Sequence, residues 1–201
     1  MRDLKMKFSH ILTLTFFLTL LSCGQSDGVA PGAGSSSTPL KLFVTSSTTT
    51  GNIGGIVAAD SLCMADSNYP GSGVYKALIV DGSNRVACSS ANCSGGSSEH
   101  VDWVLRANTQ YQRVSDGATV GTTNANGIFS FPLTNSLDAS YTYWLFTGLT
   151  ANWITNTGDC TNWSSTGGFG GFGLGDKTTI EAVYSNNGSC STSVKLICVE
   201  Q

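Results

Sequence analysis

The pattern of apolar and polar positions separates a leading segment from the rest of the chain. Residues 1–22 begin with a basic stretch and continue as an apolar run from Ile11 to Leu21. A basic start followed by an apolar run of this length is typical of an export signal. The run is also shorter than the roughly 20 apolar residues that a transmembrane helix needs. We therefore predict that residues 1–22 are a signal peptide and take no part in the fold.

The next segment, residues 23–39, is polar and rich in Gly, Ser and Pro. Its composition predicts a flexible tether with a reach of about 20–25 Å on the root-mean-square estimate for flexible chains. The preceding segment ends in Leu20-Leu21-Ser22-Cys23, which resembles the lipobox of bacterial lipoproteins. This resemblance implies that Cys23 becomes the N-terminus and carries fatty-acyl chains such as palmitate, which would anchor the protein to a membrane. The alternative is an ordinary secretory signal with a chance cysteine.

From residue 40 to residue 201 the pattern is that of a folded domain. Ile56, Ala59, Cys63 and Met64 recur with helical spacing, which predicts an amphipathic helix that ends near residues 68–70. The predicted strands are residues 40–44, 75–80, 127–129, 141–145 and 194–199. Residues 151–187 have no clear period, and we expect long structured loops there. The pattern predicts an α+β domain with a mostly antiparallel sheet, one or two helices and long loops.

Composition narrows the class of protein further. Charged residues make up 11% of the chain and the formal net charge is −3. Because the neutralisation of phosphates needs clustered cations, this balance argues against a nucleic-acid partner. Hydrophobic residues make up 40% and aromatic residues 9%, which argues against disorder. We expect an ordered domain with few charges.

The chain has seven cysteines, of which Cys23 is assigned to the lipid. In an exported chain the remaining six predict three disulfides, for which 15 pairings exist. Cys88 and Cys93 lie close enough in the sequence to close a small loop with each other. Zinc is the alternative use of these cysteines. We disfavour it because His100 is the only histidine after the signal segment.

Several segments carry a resemblance to a known family. Residues 40–66, LKLFVTSSTTTGNIGGIVAADSLCMAD, are similar to the start of endostatin, the C-terminal fragment of a basement-membrane collagen. There too a strand leads to a Gly-Asn turn and to a helix with the first cysteine. CTNW at 160–163 and SCSTSVKLICVE at 189–200 resemble the region of the remaining endostatin cysteines. The leptospiral endostatin-like lipoproteins are a closer match, on residues 75–105 and 121–136, and the resemblance spans essentially all of 40–201.

The resemblance implies a C-type-lectin-like fold with three disulfides. Cys63–Cys198 would be the outer pair and Cys160–Cys190 the inner pair, with Cys88–Cys93 as a third that endostatin lacks. It also implies display on the bacterial outer membrane and binding to host extracellular-matrix proteins, plasminogen or complement regulators. We therefore expect a surface adhesin or immune-evasion lipoprotein. The alternatives are a calcium-independent carbohydrate-binding lectin and an envelope structural lipoprotein without a host ligand.

The titratable residues do not form a recognisable catalytic or metal-binding pattern. Ser98, Glu99 and His100, followed by Asp102, suggest a hydrolase, but neighbours along one element cannot converge as a catalytic triad. Calcium needs six to eight oxygen ligands, and the acidic residues of the C-terminal half could supply only part of such a site. Those residues are Asp159, Asp176 and Glu181. We expect no enzymatic activity, no cofactor and no metal.

The Gly- and Phe-rich run at 167–175 is the remaining candidate for a ligand contact. It lacks the Gly-Lys-Ser/Thr ending of a phosphate-binding loop. We expect a flexible loop whose phenylalanines pack on the domain, or alternatively a binding loop. In the second case Phe169, Phe172 and Trp163 would contact the ligand.

Overall fold

The computed structural model describes residues 38–139 and 143–201. The predicted signal peptide, the predicted lipid-bearing Cys23 and the first part of the predicted tether lie outside the described residues. The fold below is therefore that of the domain predicted from residue 40 onward.

The larger of two sheets has five strands. These are β1 (Leu40–Val44), β2 (Tyr75–Ala77), β3 (Gln110–Arg113), β4 (Thr119–Thr122) and β8 (Ile197–Glu200). Their order across the sheet is β2-β8-β1-β3-β4. The pair β1–β3 is parallel and the other neighbouring pairs are antiparallel. The first and last strands of the domain therefore lie side by side.

The smaller sheet has three antiparallel strands in the order β5-β6-β7. These are β5 (Trp144–Phe146), β6 (Phe169–Leu174) and β7 (Asn186–Ser189). The segment before β8 connects the two sheets. The Phe146 amide donates to the Lys195 carbonyl at 3.1 Å, and the Lys195 amide donates to the Trp144 carbonyl at 3.0 Å.

Helix is scarce in the described residues. It comprises α1 (Ile56–Ala65), the short turn α2 (Cys160–Trp163) and three single 3-10 turns at Ala91–Cys93, Ser97–Glu99 and Ile180–Ala182. As predicted from spacing, α1 buries Ile56, Ala59 and Cys63, whereas Met64 is partly exposed. In the part of the chain that the structure describes, no helix has the length and apolar character needed to span a bilayer.

The core lies on both faces of β1. Leu42 and Val44 belong to one buried cluster, and Phe43, on the opposite face, belongs to the other. The second cluster also contains the buried face of α1. A strand that is covered on both sides reads as a nearly continuous apolar run, and residues 42–44, the buried part of β1, form such a run in the sequence.

Three disulfides stabilise this arrangement. Cys63–Cys198 joins α1 to β8, Cys160–Cys190 joins α2 to the residue after β7, and Cys88–Cys93 closes a loop of the chain on itself. The prediction of a mixed α+β domain that is mostly sheet, with few helices and three disulfides, is confirmed.

Three of the predicted strands differ from those in the structure, and the one predicted at 194–199 begins only at Ile197. The strand predicted at 75–80 ends at Ala77, because the Val80 amide leaves the sheet and donates to the Thr147 carbonyl at 2.9 Å. The strand predicted at 127–129 is wrong, since only an isolated bridge joins Phe129 to Thr123. Both segments are buried by tertiary contacts, which explains their apolar character.

The long loops predicted at 151–187 contain a strand, β6, and the loop prediction for residues 169–174 is wrong. Glycines are normally depleted in strands, but here they allow close approaches by neighbouring backbone. A Cβ atom on Gly173 would lie 2.3 Å from the Ala182 carbonyl oxygen, and one on Gly171 would lie 2.9 Å from the Leu149 carbonyl oxygen. The glycine run is therefore required by packing in the sheet.

Candidate functional site

An open pocket of about 640 Å³ lies where α2 approaches the start of β6. Residues 157–161 form one wall, residues 167–169 form the second, and Asn187 of β7 contributes from the side. Two loops and a strand edge, all held by the smaller sheet, therefore converge on one cavity.

The wall formed by α2 has an unusual backbone. Its four residues have φ values of 54°, 57°, 51° and 60°, in the left-handed region, although none of them is glycine. A left-handed turn of L-residues costs about 1–2 kcal/mol per residue. Such strain persists only where the surroundings fix the conformation, and it is concentrated at functional sites in known proteins.

Three contacts hold α2 in this conformation. The Asp159 carboxylate accepts a hydrogen bond from the Asn162 amide at 3.2 Å, and Cys160 is bonded to Cys190. The buried Trp163 indole donates to the Val80 carbonyl at 2.8 Å. The wall is thus capped locally by Asp159 and fixed to two other parts of the domain, at Cys190 and Val80.

The opposite wall ends in an exposed aromatic ring. Phe169 starts β6 with 64% of its surface exposed, and its backbone pairs with Ser189 of β7. On the same strand β7, the Asn187 side chain accepts a hydrogen bond from the Asn156 amide group at 2.8 Å. An aromatic ring at the rim and an oriented amide inside are suited to binding a partner.

The structure separates the three residues predicted to contact a ligand. Phe172 is 3% exposed and Trp163 is fully buried, so both are core residues, and that prediction is wrong for them. Phe172 packs edge-to-face on Phe146, with ring centroids 4.9 Å apart. Phe169 alone of the three lines the pocket. The residues that sequence reasoning missed are Thr157, Thr161 and Asn187, whose polar side chains carry no motif, whereas Asp159 was considered only as a calcium ligand.

The chemistry of the pocket is polar with one apolar contact. Hydroxyl groups, one carboxylate and one amide line it, together with the ring of Phe169. These groups can form hydrogen bonds with a polar ligand whose apolar face lies on the ring.

The acidic residues considered for calcium are engaged separately. Asp159 caps α2, Asp176 pairs with Lys177 at 3.0 Å, and Glu181 accepts from the Thr179 hydroxyl at 3.2 Å. Within the described ranges, no three His, Cys, Asp or Glu residues are grouped as metal ligands would be. The pocket thus has one carboxylate, from Asp159.

The residues that suggested a hydrolase point in different directions. The two ring nitrogens of His100 contact the carbonyl oxygens of Ala87 and Asn126. Asp102 instead pairs with Arg85 and Lys76. The side chains do not converge on a common point, as a catalytic triad requires.

Glu99 has a structural role in the loop closed by Cys88–Cys93. Its carboxylate accepts hydrogen bonds from the amides of Ser89 and Ser90, both at 2.7 Å, and from the amide of Gly95. The hydroxyl and amide of Ser90, with the amides of Gly95 and Ser89, lower the pKa of Glu99 from 4.5 to about 2. Because the pKa of Glu99 is lower in the folded state than in the unfolded state, the ionised carboxylate stabilises the fold. This stabilisation is fully present above about pH 4.5 and is lost as the pH falls through about 2.

We predict that the Glu99→Gln variant melts at a lower temperature than the wild type at pH 7. Between pH 4.5 and 2 the gap should shrink, because a protonated Glu99 resembles glutamine. Thermal unfolding followed by circular dichroism at several pH values measures this. The control is Glu181→Gln, because the carboxylate of Glu181 accepts a hydrogen bond from only one side-chain hydroxyl. This variant should melt at the same temperature as the wild type at every pH. A gap for Glu99→Gln that stayed constant with pH would contradict the assignment.

The fold and the pocket together define a disulfide-bonded α+β domain with a candidate binding site. Residues 46–179 match the family described as "Protein of unknown function (DUF1554)". The match covers more than half of the chain, so the protein belongs to this family. Among curated proteins, no match to the chain was found.

Proposed function

We propose that the protein is a bacterial surface lipoprotein whose domain binds a host ligand at the pocket beside Phe169. The observation that carries the proposal is the exposed ring of Phe169 at the rim of a polar pocket with rigid walls. Aromatic side chains dominate the binding energy of many interfaces, and they do so best where the surroundings are preorganised.

The arrangement of the domain supports a C-type-lectin-like fold of the endostatin type. The first and last strands pair, as Phe43 with Cys198. The first helix is joined to the last strand by Cys63–Cys198, and the second long-range disulfide lies within that loop. These features agree with the resemblance to endostatin-like lipoproteins, and outer-membrane anchoring through Cys23 is the part of the proposal that rests on this resemblance.

The position of the pocket also suits surface display. The predicted tether ends at residue 39, and β1 begins directly after it, at Leu40. The other end of β1 is about 13 Å away along the strand. Beyond that end, the Gly51 amide donates to the Cys190 carbonyl at 2.8 Å, and Gly51 lies against Cys160 in the pocket wall. A tether from Cys23 would reach the domain at the end of β1 that is remote from the pocket.

The proposed ligands are extracellular-matrix proteins, plasminogen and complement regulators. We predict that the purified full chain in mild detergent binds immobilised laminin, fibronectin, plasminogen or factor H at micromolar concentration. Phe169→Ala should weaken that binding at least about tenfold, as loss of an aromatic anchor does. Biolayer interferometry measures both.

Val57→Ala is the control for this experiment, because it removes an apolar side chain on α1 that is even more exposed than Phe169. It should leave binding unchanged. Background signal with all four ligands would contradict the adhesin function and favour an envelope structural lipoprotein. Binding that Phe169→Ala leaves intact would place the contact elsewhere.

A calcium-independent lectin is the second candidate, and the lining of the pocket favours it. Thr157, Asp159, Thr161 and Asn187 offer hydroxyl, carboxylate and amide groups, and Phe169 offers a ring on which a sugar face can stack. A glycan array with and without chelator separates the candidates. Glycan binding that withstands the chelator and is lost in Phe169→Ala would favour the lectin.

A further inference from the structure

Exposed apolar side chains are grouped on the outer face of α1 and at Val74, the residue before β2. Val57 is 80% exposed, Val74 is 58% exposed, and Met64 is partly exposed beside them. Together with Asp60, Ser61 and Lys76 they line an open groove of about 410 Å³, which we call the α1 groove. Exposed apolar side chains that are grouped in this way mark interaction surfaces, whereas scattered ones do not.

The charges at the α1 groove cancel one another. Asp60 pairs with the buried Arg85 at 2.8 Å, and Lys76 pairs with Asp102. Arg85 contacts Asp102 as well, so two cations and two carboxylates form one neutral network. These side chains therefore give the groove no net charge with which to attract or repel a charged partner. The affinity of the groove for any partner must come from apolar contact.

The groove lies near the place where the chain enters the domain. At the start of β1, the Lys41 amide donates to the Glu200 carboxylate at 2.7 Å. Glu200 pairs in turn with Tyr75 of β2, which directly follows Val74. Two strand spacings, about 10 Å in all, therefore separate the start of β1 from this edge of the groove.

We propose that the α1 groove rests on the lipid surface to which the protein is anchored, with Val57, Met64 and Val74 in the boundary between headgroups and acyl chains. The proposal rests on the lipid at Cys23 in the proposed function. Exposed apolar side chains of proteins that lie on a membrane insert to this depth. The proposed tether would hold the start of β1 at about 20–25 Å from the membrane on the root-mean-square estimate, so the membrane would be present at a high effective concentration and even a weak contact would form.

Lipid photolabelling of the acylated full chain tests the proposal. The protein is reconstituted into phosphatidylcholine vesicles that contain a phospholipid with a diazirine near the top of its acyl chain. Illumination releases N₂ and the carbene inserts into adjacent C–H bonds. After reduction, trypsin yields residues 42–76, which contain Val57, Met64 and Val74, and residues 114–177, which contain Phe169. We expect label in 42–76 at least about fivefold above that in 114–177.

Two matched variants sharpen the result. The double variant Val57→Asp/Val74→Asp should lose the label in 42–76, whereas Phe169→Asp should keep it. All three side chains are exposed, so both variants should melt at the wild-type temperature. Conversely, host-ligand binding should be lost in Phe169→Asp and kept in the double variant.

The outcomes separate this proposal from the proposed function. The mass of the N-terminal peptide reports acylation: an unmodified Cys23 overturns the anchor and the membrane contact together. An acylated protein with equal or no label in 42–76 overturns the membrane contact alone. A dimer joined through α1, with the groove unlabelled, would also overturn it.

Discussion

Replacing both Cys63 and Cys198 by alanine should lower the free energy of unfolding by about 5 kcal/mol in the chain-entropy model. The disulfide spans 135 residues of sequence and joins α1 to the last strand, so its loss releases most of the domain in the unfolded state. That loss is comparable with the whole stability of many small domains. Urea unfolding of the full chain under non-reducing conditions, followed by tryptophan fluorescence, measures it.

The variant lacking Cys88 and Cys93 is the matched control for this measurement. All four cysteines are buried, so the two double variants lose similar side chains from the core. The loop differs, because Cys88 and Cys93 are only 5 residues apart, and the same model gives about 2 kcal/mol. Equal losses in the two variants would contradict an origin in loop closure and would indicate local packing instead.

The elements that could be predicted from sequence are those whose signal is local. Ile56, Ala59 and Cys63 have helical spacing because the face of α1 that they form is buried. Met64 was predicted on that face but lies at its border, where its sulfur contacts the Tyr75 amide. The helix was predictable from its period, whereas the border of its buried face depended on a neighbouring strand.

Strand β6 could not be predicted because its cause is tertiary. A strand is recognised from alternating side chains, and Gly170, Gly171 and Gly173 have none. The reason for these glycines is the close passage of other backbone segments, such as the Ala182 carbonyl beside Gly173. That contact joins β6 to a turn that no local pattern indicates.

Of the residues that line the candidate site, sequence reasoning predicts only one as a ligand contact. Phe169 was singled out from its Gly-rich surroundings and lines the pocket. Phe172 belongs to the same Gly-rich run and Trp163 is a tryptophan that could anchor a partner, but the packing of β6 and the disulfide at Cys160 place both in the core. Burial of an aromatic side chain depends on which elements meet, and a single sequence does not specify this.

Arg85 is a further residue whose role depends on distant segments. It is fully buried, and its guanidinium donates to both carboxylate oxygens of Asp60, to Asp102 and to the Ala77 carbonyl. Burial alone would lower the pKa of Arg85. The hydrogen bonds to Asp60 and Asp102 outweigh that effect and raise the pKa above its usual value.

We predict that Arg85→Met lowers the free energy of unfolding by about 3 kcal/mol or more. Removal of one partner from a buried ion pair costs about 3–5 kcal/mol, because the other charge is left without compensation. In this domain Asp60 would lose its pair and the Ala77 carbonyl would lose a donor. Urea unfolding at pH 7 measures the change, and methionine keeps most of the side-chain volume.

Lys76→Met is the control, since Lys76 pairs with the same Asp102 but is itself partly exposed. Exposed ion pairs contribute about 0–1 kcal/mol, so this variant should unfold close to the wild type. A double-mutant cycle with Asp60→Asn then separates the pair from the rest of the network. If Arg85→Met and Lys76→Met cost the same, the stability of this region comes from apolar packing, and the buried charges do not hold α1 on the sheet.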